Sequence, residues 1–207
     1  YYLSSTQKTE ARVQEVETEL LEGLWQQHEL HAVATNGLAL NLSGAKCAAK
    51  SVAKAPRIAP LTGEIQRRKA RDDNAGSLTL DVAVQFTDLA PGQILLDSRD
   101  DTGRGYVLRT GDRANVRFEM SDGWQSAFWE SDAGLLKTNV THHIVAMLDG
   151  PAKVISFVID GALGDGGKER QFGFGRFNPT FKDISGGKNL QLAPQLNGEL
   201  KHARLYT

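Results

Sequence analysis

The sequence predicts an all-β protein, an antiparallel β-sandwich of jelly-roll type with an N-terminal α-helix. Three observations predict it. The stretch "SLTLDVAVQF" places Leu78, Leu80, Val82, Val84 and Phe86 at every second position, the pattern of a strand with one buried face. From Ser77 onward, short apolar runs are separated by turn residues at intervals of about 8 to 12 residues. No helical pattern intervenes, so strands adjacent in sequence pair antiparallel, and two sheets must cover each other's apolar faces.

The elements follow in order. Thr6 to Leu30 holds no proline, and Val13, Val16, Leu20 and Leu24 recur at helical spacing, with Ser4 and Gln7 fitting a capping box. This amphipathic helix packs on its own domain or on a neighbour, and it defines an N-terminal helical extension over residues 1–35. The sandwich domain is expected over residues 36–207. Its first strand is "NGLALNL", Asn36 to Leu42. Residues 46–71 are rich in Lys and Arg, are opposed only by Glu64, and carry Pro56 and Pro60; they read as a solvated loop. Five strand-like runs follow: "SLTLDVAVQF", "GQILLDS", "GRGYVLRT", "ANVRFEMSDGW" and "WQSAFWES". "THHIVAMLDGPAKVISFVIDGAL" supplies two more strands, with Asp149-Gly150-Pro151 turning the chain and Asp160-Gly161 closing the hairpin. "LNGELKHARLY" is the last strand, its apolar residues Leu196, Leu200, Ala203 and Leu205 alternating imperfectly.

Composition narrows the function classes. Of 207 residues, 40% are apolar and 24% charged, an ordinary balance for a globular protein. The net charge of -1 gives no reason to expect nucleic acid or an anionic membrane as partner, and the basic stretch lacks aromatic residues on which bases stack. No apolar run approaches the roughly 18 residues a membrane span needs. Cys47 is the one cysteine, which excludes an internal disulfide and a Cys-rich zinc site. The chain opens at Tyr1 with neither methionine nor a signal sequence, and is read as a piece of a larger or processed protein.

His142 and His143 are adjacent, so in a regular strand they point to opposite faces and cannot share one metal. The expectation is structural: one imidazole at the core edge bonded to a backbone carbonyl, the other at the surface. His28, His31 and His202 form no obvious pair with them in sequence.

His142, His143, Asp149, Gly150, Asp160 and Gly161 form a pattern that resembles the central hairpin of laminin-G-like, concanavalin A-like domains. Thr141 stands where that family usually has Trp. The closing "LNGELKHARLYT" resembles the family's final strand, and "RQFGFGRF", Arg170 to Phe177, resembles a bacterial subgroup attached to large secreted glycan-processing enzymes. The resemblance implies two stacked antiparallel sheets of jelly-roll topology and an extracellular or periplasmic location. It does not decide between lectin and glucanase, both of which this fold carries.

The residues bear on that choice. Glycoside hydrolysis uses two carboxylates about 5 to 10 Å apart across the bond. Asp81, Glu119 and Glu130 each lack an acidic partner two or four residues away in the same strand. Gln85, Tyr106, Arg109 and His143 are the residue types a polysaccharide lyase of related fold would need. There is no nucleophile elbow and no phosphate-binding loop, and the glycine-rich Gly161 to Gly167 reads as a turn. Sugar binding calls for an aromatic platform beside polar groups. "DGWQSAFWESD" offers Trp124, Gln125, Phe128 and Glu130, with Trp124, Phe128 and Glu130 on one face of a regular strand and Trp129 on the other; Arg109 and Tyr106 complete the candidate set. Packing is the alternative role for the aromatics. In "DSRDDTGRG", Asp97, Asp100 and Asp101 with the Thr102 backbone oxygen form a candidate Ca²⁺ site; the alternative is a loop held by Arg99 and Arg104. No other cofactor is expected.

The expectation is therefore a non-catalytic carbohydrate-binding or accessory module of a secreted glycan-processing protein, with a glycan or an adjacent catalytic domain as partner. The alternatives are a glycoside hydrolase or polysaccharide lyase of the same fold, and a structural module contacting other protein through the helix.

Overall fold

A computed structural model describes residues 37–61, 76–164, 175–178 and 180–207. The expected helix, the extension over residues 1–35, and His28 and His31 lie outside the described residues, as do 62–75 and 165–174.

Thirteen strands occur among the described residues. They are β1 (Leu38–Ser43), β2 (Ser51–Lys54), β3 (Leu78–Phe86), β4 (Ile94–Asp97), β5 (Gly105–Thr110), β6 (Val116–Ser121), β7 (Ser126–Glu130), β8 (Thr141–Asp149), β9 (Val154–Ile159), β10 (Ala162–Leu163), β11 (Gly175–Arg176), β12 (Asn189–Leu192) and β13 (Gly198–Tyr206). A 3-10 turn, Gly44–Cys47, follows β1. One sheet runs β1-β13-β3-β8-β9-β10, with β11 also on β9; the other runs β2-β12-β4-β5-β6-β7. Every ladder is antiparallel. The architecture is the all-β sandwich that alternation and turn spacing predict.

β3 is the spine of the seven-stranded sheet, paired with β13 on one side and β8 on the other. Leu78, Leu80, Val82, Val84 and Phe86 all point inward, none more than 1% exposed. Each contributes about 1.5–3 kcal/mol of burial. Leu96, Leu108, Phe118, Met120 and Leu190 answer from the six-stranded sheet, and all are buried. Tyr106 stacks on Phe118 with ring centroids 6.3 Å apart. Trp129 faces inward, as alternation requires, and meets Phe177 edge-on at 6.2 Å.

The turns carry their expected chemistry. Asp160 and Gly161 both take positive φ, 53° and 81°, the two-residue geometry that joins β9 to β10 with matching twist. The imperfect alternation of the last strand has a physical cause: the β13–β3 register shifts between Leu200 and His202, so one extra residue restores Ala203 and Leu205 to the core.

Two segments differ from expectation. Within the basic stretch, Ser51–Lys54 form β2 on β12 at the sheet edge, and Cys47, Ile58 and Leu61 are buried. β2 is only Ser51, Val52, Ala53 and Lys54, and its half-buried face is the two small residues Ser51 and Ala53, so it carries no apolar alternation to read. β12 also went without a strand signal, since only Leu190 and Leu192 alternate in its four residues.

Candidate functional site

The candidate site lies on the outer face of the six-stranded sheet. Alternation in β5 turns Tyr106 and Leu108 inward and Val107 and Arg109 outward. In β6 it exposes Arg117 and Glu119, and in β7 Phe128 and Glu130. Register then builds two rows across the strands: Asp97, Val107, Glu119 and Phe128 in one, Arg109, Arg117 and Glu130 in the other.

These rows border a depression of about 390 Å³, lined by Arg99, Val107, Arg117, Glu119 and Phe128, with Gly103 and Gly105 at one end. Gly105 holds φ at +139°, and a Cβ there would come within 2.8 Å of the Arg99 backbone. The missing side chain lets the Ser98–Arg99 backbone approach the start of β5 closely.

An ionic ladder fixes the side chains. Arg109 donates to Glu119 Oε1 from Nε at 2.9 Å and also through its terminal nitrogen. Arg117 Nε donates to the same oxygen at 2.7 Å, and its Nη1 reaches Glu130 Oε1 at 3.4 Å. Arg113 reaches the other Glu130 oxygen at 3.5 Å. The Arg117 guanidinium carbon lies 3.5 Å from the centroid of the Phe128 ring, a cation–π contact. Pairs this exposed contribute little to stability; their effect is to hold donors and acceptors in a fixed pattern around an aromatic ring. Such a pattern matches a ligand with an apolar face and a rim of hydroxyl or carboxyl groups.

Trp124 sits outside the regular strand. It lies in the β6–β7 turn and is 94% exposed; Phe128 is 54% exposed on β7. The sharing of one strand face by Trp124, Phe128 and Glu130 is thus corrected: the strand begins only at Ser126, because Asp122 and Gly123 turn the chain first. Asp122 accepts from the backbone N–H groups of Trp124 and Gln125 at 3.0 Å and of Lys182 at 3.1 Å. Burial pushes the Asp122 carboxyl up, but these N–H donors outweigh it and hold the group below the usual carboxylate range.

Other expected site residues have different places. Tyr106 is a correction: it is fully buried on the inner face, its hydroxyl has no hydrogen-bond partner among the described residues, and burial pushes the phenol upward. Alternation in β5 allows Arg109 or Tyr106 on the outer face, not both. Gln125 ties the turn to the segment before β12 through Asp122 and Thr180, at 3.3 and 3.0 Å. The lyase-type set is not assembled. Gln85 and His143 lie on the seven-stranded sheet, Arg109 on the other, Tyr106 in the core. Arg117 and Val107 were missed; only the cross-strand register, invisible in sequence, brings them beside Phe128.

In the acidic loop, Arg99 grips both Asp97 oxygens, at 3.0 and 2.6 Å. Asp100 accepts from the Thr102 hydroxyl at 2.6 Å and from the Arg104 backbone at 3.0 Å, and these bonds, the Thr102 hydroxyl foremost, lower its pKa. Arg104 Nε also reaches Asp100 at 3.2 Å, so both arginines hold this loop.

On the other sheet, His142 is buried, with Nδ1 2.6 Å from Asp160 and Nε2 accepting from the Lys137 backbone N–H at 2.8 Å. Nε2 also lies 3.1 Å from the Lys137 backbone carbonyl, the expected kind of partner, to which the structure adds the Asp160 carboxylate. His143 points outward to Asp81, whose Oδ1 is 2.6 Å from His143 Nε2 and 3.2 Å from His202 Nε2. The two histidines that sequence left unpaired meet across β3.

No protein-family model matches the chain, and no curated protein matches it. Solved structures do. The CBM40 of the Ruminococcus gnavus IT-sialidase is 16% identical, with a TM-score of 0.53 over 82% of this chain and 92% of that one. The same module bound to α2,6 sialyllactose gives a TM-score of 0.52 over 82% and 93%. A leech intramolecular trans-sialidase complexed with 2,7-anhydro-Neu5Ac is 12% identical, with a TM-score of 0.50 over 83% of this chain and 26% of that one. The two stacked sheets of this chain therefore have the concanavalin A-like, laminin-G-like jelly-roll fold.

Proposed function

We propose that this chain is a non-catalytic, glycan-binding accessory module, and that the sugar lies on the outer face of the six-stranded sheet. One observation carries the reading. Phe128 remains half in water along a depression whose rim is a fixed set of guanidinium and carboxylate groups, and Trp124 stands exposed in the turn that leads into the same strand. Packing would have buried these aromatics, as it buries Trp129. Sugars present an apolar ring face to an aromatic platform and hydroxyls to charged groups, which are the two features found together here. The fold's likeness to a module seen with sialyllactose supports the reading. So does its likeness to part of a much longer trans-sialidase, since an accessory module adjoins a catalytic domain. The module then works outside the cytoplasm, where polysaccharides and glycoconjugates are met, in a glycan-processing protein.

The test is a panel of neutral, uronic-acid and sialylated glycans, with affinities measured by calorimetry. At least one is expected to bind, and Phe128→Ala and Trp124→Ala are each expected to weaken it about tenfold with unchanged thermal midpoint. Failure of every glycan to bind overturns the reading. New reducing ends on incubation with polysaccharides overturn its non-catalytic part.

A further inference from the structure

The seven-stranded sheet carries a second group of chemistry-bearing residues. Its outer face brings together Asp81 from β3, His143 from β8 and His202 from β13. These come from three neighbouring strands, with β3 in the centre. Ala83 pairs with His143 on one side and His202 on the other, so both imidazoles flank one methyl group. Strands two apart are separated by about 9.6 Å. The small Ala83 lets the rings lean inward until their centroids are 5.8 Å apart. Asp81 lies two residues along β3, on the same face, and aims Oδ1 between them.

We propose that Asp81, His143 and His202 form a binding site for a Zn²⁺-class divalent cation. Their three ligand atoms lie within 4.8 Å of one another. A tetrahedral zinc with bonds of about 2.0–2.1 Å sets its ligand atoms roughly 3.3 Å apart. The Asp81–His202 separation of 3.2 Å already fits. The Asp81–His143 separation of 2.6 Å has to open by roughly 0.7 Å, within reach of a half-exposed imidazole. Two imidazoles and one carboxylate select zinc, cobalt, nickel or copper over calcium and magnesium, which take all-oxygen shells. Three protein ligands from one face leave the remaining coordination position toward solvent. Arg204 Nη1 lies 3.5 Å from Asp81 Oδ2, the oxygen the metal does not need, and orients the carboxylate from its far side. The metal takes a lone pair from each Nε2 and from Asp81 Oδ1, and it ties β8, β3 and β13 together.

This inference is independent of the proposed glycan site, which lies on the opposite outer face. Its test titrates the metal-free protein with ZnCl₂ by calorimetry and with CoCl₂ by visible absorption, then compares thermal midpoints with and without EDTA. One ion per chain is expected, with a tetrahedral Co²⁺ spectrum and a midpoint raised by Zn²⁺. His143→Gln and His202→Gln keep much of the side-chain volume, and each is expected to lower Zn²⁺ affinity by more than about tenfold. The double variant His28→Ala/His31→Ala is expected to bind as the parent does. A purely hydrogen-bonded cluster predicts instead that the Gln variants alter the midpoint equally with and without zinc. That result, or stoichiometric binding that survives both Gln variants, or no binding to the parent chain, overturns the proposal. Glycan affinity is read in the same samples, so loss of one site is separable from loss of the other.

Discussion

At the residue scale, Tyr106 shows how one position can belong to the core and still carry a polar cost. Its ring packs on Phe118, yet the hydroxyl is buried without a partner among the described residues. An unsatisfied buried polar group costs about 1–3 kcal/mol. Tyr106→Phe is therefore expected to raise stability by about 1 kcal/mol in urea denaturation and to leave glycan affinity unchanged. A loss of affinity would place Tyr106 back in the site. Sequence gave Tyr106 and Arg109 equal standing because both residue types bind sugars. The pleat separates them, since 106 and 109 differ by an odd number of positions. The same parity argument read His142 and His143 correctly as pointing to opposite faces. What it could not reach was the partner: Asp160 lies 18 residues beyond His142, and Asp81 lies 62 before His143.

At the element scale, the depression depends on how β4 turns into β5. The arginine-held loop from Asp97 to Arg104 brings Arg99 against the strand face, and Gly105 lets it approach. Gly105→Ala strains a positive φ and drives a methyl into backbone 2.8 Å away. It is expected to cost about 1–3 kcal/mol, seen as a lower thermal midpoint, and to weaken glycan binding in the same variant. An unchanged midpoint would mean the loop relaxes freely and is not fixed by close approach. Strands with long alternation, such as β3, were legible in sequence. β2 and β12 were not, because four residues carry too little periodicity and the half-buried positions of β2 are the small Ser51 and Ala53. The expected N-terminal helical extension falls outside the described residues.

At the scale of the whole molecule, three carboxylates link the fold to pH. Asp100, Asp122 and Asp183 are all held below the usual carboxylate range. For Asp183, burial opposes the Ser185 backbone and hydroxyl donors, which prevail. A group whose folded pKa is depressed adds stability above its unfolded pKa, about 3.9, and loses it as pH falls through the folded value. The urea midpoint is therefore expected to hold from pH 7 to about pH 5 and to fall steeply below about pH 4. Asp122→Asn is expected to shrink that fall, and an unchanged acid limb would show that these carboxylates are as free folded as unfolded. Asp122 also holds the Trp124 turn, so glycan binding is expected to weaken along with stability in acid. By itself the sequence determined the class of fold, its main strands and the inward face of each long one, because side-chain alternation is a local property of the backbone. Only the tertiary structure decided which outward residues meet. Arg117 joins Phe128, and His202 joins His143, through strand register, and register is fixed by the packing of two sheets that no single stretch of chain contains.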